Sequence, residues 1–341
     1  MENIDTLNKE IKMNMLRDRA KPLPVVTEEM FKACNFENVD LVTEYLQTSN
    51  NLSKQTLKQY KSGLYQFVYY IYENLNDKPF YKITKRDFRR YMSYLMNRGL
   101  SSSALKFKKS AVSAFCKYIE NVIAEEEEAY SRFRNFTTGT GDIPKNQVYN
   151  KIPVSKEEYD LIIETLLSDE NYLGACWVAT AFNVGARRSG IIQFKTELLS
   201  YEKEEGTSFI MSHPVREKGR GEDGKVVEYM IPEEALKYMR LWVDNRGYDH
   251  EYIFTIKHHG EVQQMSAGWA NRFCEDVLSD IVGRRINVHL FKASCVSYLV
   301  NEKGVDLKLV SKYVAQHEDV STTDKFYLIS DDTEAKKQIF S

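Results

Sequence analysis

Apolar residues recur at helical spacing along most of the chain. In NLSKQTLKQYKSGLYQFVYYIYENL, residues 51–75, Leu57, Tyr60, Leu64, Phe67, Val68 and Ile71 fall at i, i+3 and i+4 steps, which predicts an amphipathic helix with Ser53 as its N-cap. The run ITKRDFRRYMSYLMNRG repeats the pattern, with Thr84 as cap and Gly99 as stop, and residues 101–133 predict a third helix and a fourth. Residues 1–38 read as a lead-in segment and 39–136 as a helical bundle. Residues 137–151, TTGTGDIPKNQVYNK, lack apolar periodicity and read as a linker.

A second domain is expected over 152–341, ending in a tail. It opens with SKEEYDLIIETLLS, where Ser155 and Glu158 form a capping box. YLGACWVATAFNVG predicts a buried helix ending at Gly185, and residues 207–232 predict two strands around a long glycine-containing turn. Four more helical runs follow: EEALKYMRLWVDNRG, SAGWANRFCEDVLSDIVG, HLFKASCVSYLVNEKG and DLKLVSKYVAQ. The pattern as a whole is mainly α, with one small antiparallel sheet.

Composition narrows the class. With 43% hydrophobic and 28% charged residues, the chain has the profile of a soluble globular protein. No apolar run approaches the ~18 residues that span a bilayer, and the first residues hold no signal-peptide core, so no membrane partner and a cytoplasmic location are expected. The five cysteines are scattered and form no C-x-x-C pair, which predicts buried, reduced thiols rather than disulfides or a zinc site.

The net charge of −2 hides an asymmetry. From Asn51 to Glu120 there are fourteen Lys/Arg against four Asp/Glu. Such a basic stretch suits a polyanion, although a solvated lysine-rich surface would look the same. Within it Lys54, Lys58, Lys61, Lys106, Lys108 and Lys109 are candidate contacts to a nucleic-acid backbone.

The second domain carries Arg187 and Arg188, Lys218 and Lys225, His289 and Lys292, then His317 and Tyr327. Such a set suits a phosphodiester. Arginine forks and imidazole N–H groups bind non-bridging oxygens, a lysine protonates a leaving hydroxyl, and a tyrosine can attack phosphorus. No metal or cofactor is needed for this chemistry. No H-E-x-x-H pattern and no P-loop is present.

At these residues the chain resembles the tyrosine recombinases, or phage integrases. GARRSG resembles the family's first arginine box, with Arg187 as counterpart; the turn REKGRGEDGK holds Lys218, the better match to the family lysine, and Lys225. HLFKAS stands for the H-x-x-R box and gives His289 and Lys292, and VAQHEDVSTT stands for the L-G-H box and gives His317. Tyr327, ten residues on, is the candidate nucleophile.

The resemblance implies a two-domain clamp on double-stranded DNA, with a core-binding (SAM-like) domain followed by a catalytic-type domain. It implies self-association on DNA as a dimer or tetramer, in the cytoplasm of a bacterium or of a phage's host, near the nucleoid. The chain departs from the family pattern at three residues, and the spacing to Tyr327 is the longer of the family's two. Lys292 replaces an arginine, Gly190 stands where the first box has an acid, and Gln316 stands where a glycine precedes the histidine. Lysine offers a point charge where arginine offers a bidentate fork. These departures favour a DNA-binding regulator, such as a phage or mobile-element repressor, with lost or weakened strand cleavage. An active site-specific recombinase working through a 3′-phosphotyrosine at Tyr327 is the alternative, and an RNA-binding or protein-interaction module is a third class. An inactivating ligand or peptide for the regulator is compatible with the sequence but not named by it.

Overall fold

The computed structural model describes residues 23–50, 52–144, 152–203, 205–217, 225–317 and 319–326. The chain divides into two compact units, Met1–Asn150 and Lys151–Ser341.

The first unit is helical among its described residues. Its helices are Glu28–Lys32, Phe36–Thr48, Lys54–Asn74, Lys85–Asn97 and Ser102–Tyr118, the last running on through a π-helical turn, Ile119–Ile123. The caps lie where the polar residues predict them. The Ser53 hydroxyl accepts from the Thr56 amide, and Thr84 and Asp87 satisfy each other's backbone donors as a capping box. Each helix turns its apolar stripe to one core, where Phe67 meets the rings of Phe80, Phe88, Tyr91 and Phe136.

Two stretches differ from the sequence-based expectation. Within the supposed lead-in, Glu28–Lys32 is helical because Phe31 stacks on Tyr65 at 3.7 Å and is buried there. Residues 137–144 of the supposed linker hold to this unit: Thr137 is buried against the Asn135 amide, and the Pro144 carbonyl accepts from the Ser102 hydroxyl. Periodicity cannot find either segment, since one is a single short turn of helix and the other is held by side-chain hydrogen bonds.

The second unit is built around the helix Tyr172–Val184, which is buried along most of its length. Lys156–Ser168, Glu233–Asn245 and Val288–Ser297 pack on it, and Trp177 meets Phe273 and Phe291 edge-on. Arg284 ties the entry of the unit together. It pairs with Glu158 at 2.6 Å and donates to the Ile152 and Pro153 carbonyls.

The single sheet expected over 207–232 is instead two antiparallel pairs along one hairpin, Phe209–Met211 with Met230–Pro232 and Val215–Glu217 with Lys225–Val227. Pro214 has no N–H to give a ladder at the break, where the Ser212 hydroxyl takes the Tyr229 amide instead. A further pair, Thr255–His258 with Glu261–Gln264, escaped the sequence reading because its residues are largely polar.

Candidate phosphodiester site

The left-handed residue Gly185, at φ +66°, ends the central helix. A Cβ there would lie 3.0 Å from Cys295 Sγ and from a Val314 methyl, so only glycine lets the chain pass close to the helix Val288–Ser297 and the turn Val310–Val314. Arg187 follows two residues later, at the start of the short helix Arg188–Ile191. Its Nη1 donates to Glu217 Oε2 at 2.9 Å. The Glu217 side chain is 1% exposed, whereas that of Arg187 remains one-third exposed. The buried Tyr229 hydroxyl donates to the other oxygen of Glu217. Arg188 is turned elsewhere, toward the Asn271 amide oxygen.

Lys292 lies on the helix Val288–Ser297 and is 4% exposed. Its ammonium donates to the Ala315 carbonyl at 2.6 Å. Burial, and next the Arg187 charge, push its pKa down from 10.5 to about 7. Lys225 Nζ reaches the neighbouring carbonyl, Gln316 O, at 3.4 Å. Gln316 itself is left-handed, at φ +57°, the conformation that favours the family's glycine. Its side-chain amide holds the turn by donating to the Glu228 and Tyr313 carbonyls, both at 3.1 Å.

His317 is next in the chain. Its Nδ1 lies 2.8 Å from the Thr323 hydroxyl, which donates to buried Ser311. Burial, then the charges of Lys292, Arg187 and Lys225, push its pKa down to about 4. Lys292, Lys225 and His317 thus meet at one backbone turn, Ala315–His317, and the Arg187 charge acts on both Lys292 and His317, although the four come from separate stretches of the chain.

His289 lies one helical turn before Lys292, at the exposed start of the same helix, with its amide held by Asn287. Lys218 and Tyr327 fall outside the described residues. Sequence reasoning named Lys225 as the second choice for the lysine and missed Glu217. Glu217 stands in the turn REKGRGEDGK, one residue before Lys218, but its partner Arg187 lies thirty residues away.

In the first unit Lys54, Lys58 and Lys61 are exposed along one helix face at i, i+4 and i+7. Lys61 also pairs with Glu28 at 3.1 Å. Lys106 is exposed. Lys108 instead turns inward to the Gln66 side chain, its pKa lowered by burial, and Lys109 Nζ lies 3.4 Å from the Gly141 carbonyl. A groove that the sequence reading did not single out is lined by Lys85, Arg86, Arg89 and Arg90 together with Tyr94 and Asn97. The signal was present in KRDFRR, where the charges share the face opposite buried Phe88 and Tyr91.

The chain is 54% identical over 334 residues to the SPbeta prophage-derived recombinase-like protein YomM of Bacillus subtilis (strain 168), covering 98% of this chain and all of that protein. The chain belongs to the tyrosine recombinase family. In agreement, the phage integrase N-terminal SAM-like domain matches residues 39–124. The tyrosine recombinase XerC of Staphylococcus carnosus (strain TM300) is 24% identical across 84% of this chain and 90% of its own. Among solved structures, XerH bound to a palindromic difH substrate in a post-cleavage complex superposes with a TM-score of 0.61, at 15% identity and over 96% of this chain and 93% of that one. A lambda integrase dimer on a core site gives 0.60, at 16% identity and over 83% and 96%. The mainly helical fold with small antiparallel pairs is that of this family, and residues 39–124 of the helical N-terminal unit match its SAM-like domain.

Proposed function

We propose that this recombinase-family chain binds duplex DNA around one phosphodiester and cuts it through Tyr327. The observation that carries the reading is the convergence of Arg187, Lys225, Lys292 and His317, with Arg187 braced by a buried carboxylate. Arg187 would take a non-bridging oxygen with the donors that Glu217 leaves over, and His289 and His317 would share the charge that builds on phosphorus. As the Tyr327 oxygen bonds to phosphorus, the bond to the 5′-oxygen breaks. A lysine of the hairpin, Lys218 or Lys225, would give that oxygen its proton, and a neutral histidine would take the phenolic one. Lys54, Lys58, Lys61 and Lys106, with the groove of Lys85, Arg86, Arg89 and Arg90, would hold the DNA backbone. The DNA-bound dimer of lambda integrase suggests assembly of several copies on DNA.

The sequence alone tilts toward a regulator. Bracing of Arg187 by Glu217, together with relatives described as recombinases, favours cleavage, with Lys292 slowing it. A regulator that binds without cutting stays the second reading, because Lys292 is buried on a carbonyl of its own chain.

The test uses a duplex that the protein itself selects from a random-sequence library, nicked at successive positions. A covalent protein–DNA band that disappears in Tyr327→Phe supports cleavage, and Lys292→Arg should strengthen that band about tenfold or more. Tight specific binding with no band at any nick position would establish the regulator.

A further inference from the structure

We propose that Glu217 supplies, from the strand Val215–Glu217, the carboxylate absent at position 190, and that it acts as the positioning residue for Arg187. The proposal rests on the reading that Arg187 grips a DNA phosphate.

Position 190 is the third residue of the short helix Arg188–Ile191, counted from its N-cap Arg187, the relation in which a side chain can reach back to the cap residue, so an acid there could brace Arg187 locally. The chain has glycine instead. A Cβ built on Gly190 would meet Glu217 Oε1 at 2.8 Å, Tyr229 Cε2 at 3.3 Å and the Tyr229 hydroxyl at 3.4 Å. The space that a side chain at 190 would need is thus filled by a carboxylate arriving from another element. That carboxylate is engaged on both oxygens, with Arg187 Nη1 on Oε2 and the Tyr229 hydroxyl on Oε1. Glycine at 190 and glutamate at 217 are two halves of one exchange, since the first makes the room that the second occupies.

Burial gives the bracing its force. An ion pair with one partner 1% exposed is weakly screened, so the guanidinium is held in one orientation while a third of the Arg187 side chain stays open to a ligand. Tyr229 fixes the carboxylate in turn, from a strand-break position where its own amide is tied to Ser212. Arg187 is therefore aimed before DNA arrives, which lowers the ordering cost of binding.

Charge counting and positioning predict opposite signs, and this makes the idea testable. Removing an acid from a DNA-binding surface should tighten binding to a polyanion if only net charge matters. Removing a brace should weaken it. Affinity for the self-selected duplex is measured by anisotropy in a Tyr327→Phe background, where no cutting is required. We expect Glu217→Ala to weaken binding about tenfold, the size of one charge-assisted hydrogen bond, despite the lost negative charge. Glu217→Ala combined with Gly190→Glu should regain affinity to within about threefold of the parent, because a carboxylate again reaches Arg187.

Unchanged or tighter binding by folded Glu217→Ala would overturn the proposal, as would a folded double variant that binds no better than the single one. If Glu217→Ala does not fold, Glu217→Gln preserves the shape and is read with the same signs. A protein that selects no duplex at all sinks the DNA reading itself. That result differs from a selected duplex that the Glu217 variants bind unchanged.

Discussion

Replacing Lys292 with methionine should stabilise the DNA-free protein while weakening its hold on DNA. The side chain is 4% exposed and its pKa falls from 10.5 to about 7, so the fold resists the charged form. A displacement of that size corresponds to at most roughly 5 kcal/mol against the protonated lysine. Methionine is of similar length and carries no charge, but it leaves the Ala315 carbonyl without the ammonium that now meets it at 2.6 Å. That loss costs about 1–3 kcal/mol. A net gain of about 2 kcal/mol remains, or roughly 4–8 °C in the melting temperature of the second unit.

The pH dependence fixes the cause. Below pH 7 the lysine is protonated in both the folded and unfolded states, and the full penalty is present. Between about 7 and 10.5 the unfolded chain binds the proton that the folded one releases, so wild-type stability rises with pH relative to the variant. Above 10.5 the penalty is gone. Thermal unfolding of wild type and Lys292→Met from pH 6 to 10 should therefore show an advantage for methionine that is largest at and below neutrality, is lost at about pH 8 and reverses toward pH 10. A variant that melts lower than wild type at pH 7, or an advantage that does not change with pH, would refute the reasoning.

Two further outcomes follow from the geometry. Gln316→Ala should destabilise by about 1–2 kcal/mol, because it keeps the left-handed backbone at φ +57° and loses the bonds to the Glu228 and Tyr313 carbonyls, whereas Gln316→Gly should stay within about 1 kcal/mol of wild type; denaturant titration reads both. Replacing Arg86, Arg89 and Arg90 together with alanine should weaken DNA binding and lower the slope of log affinity against log salt by about 3, and an unchanged slope would remove the groove from the DNA-contacting surface.

The sequence made the helices legible because their caps and apolar stripes are local. Ser53, Thr84 and Ser155 all cap where their side chains predict. The cation cluster was legible only through the family's boxes, since nothing in the spacing of Arg187, Lys292 and His317 says that a left-handed glycine brings their segments together. What stayed hidden was non-local. Glu217 looks like any strand acid until its partner thirty residues away is seen, and the inward turn of Lys108 depends on Gln66 from another helix. The third strand pair hid in polar residues, and the break in the hairpin hid in one proline.

The backbone turn before His317 offers two successive carbonyl oxygens, Ala315 to Lys292 and Gln316 to Lys225. Under the proposed function, a DNA phosphate oxygen would have to displace these carbonyls to meet either lysine. Engagement there would be an exchange of one oxygen for another rather than a simple addition, and the free energy it yields would be a difference. A loosely seated DNA backbone would gain little from such a swap.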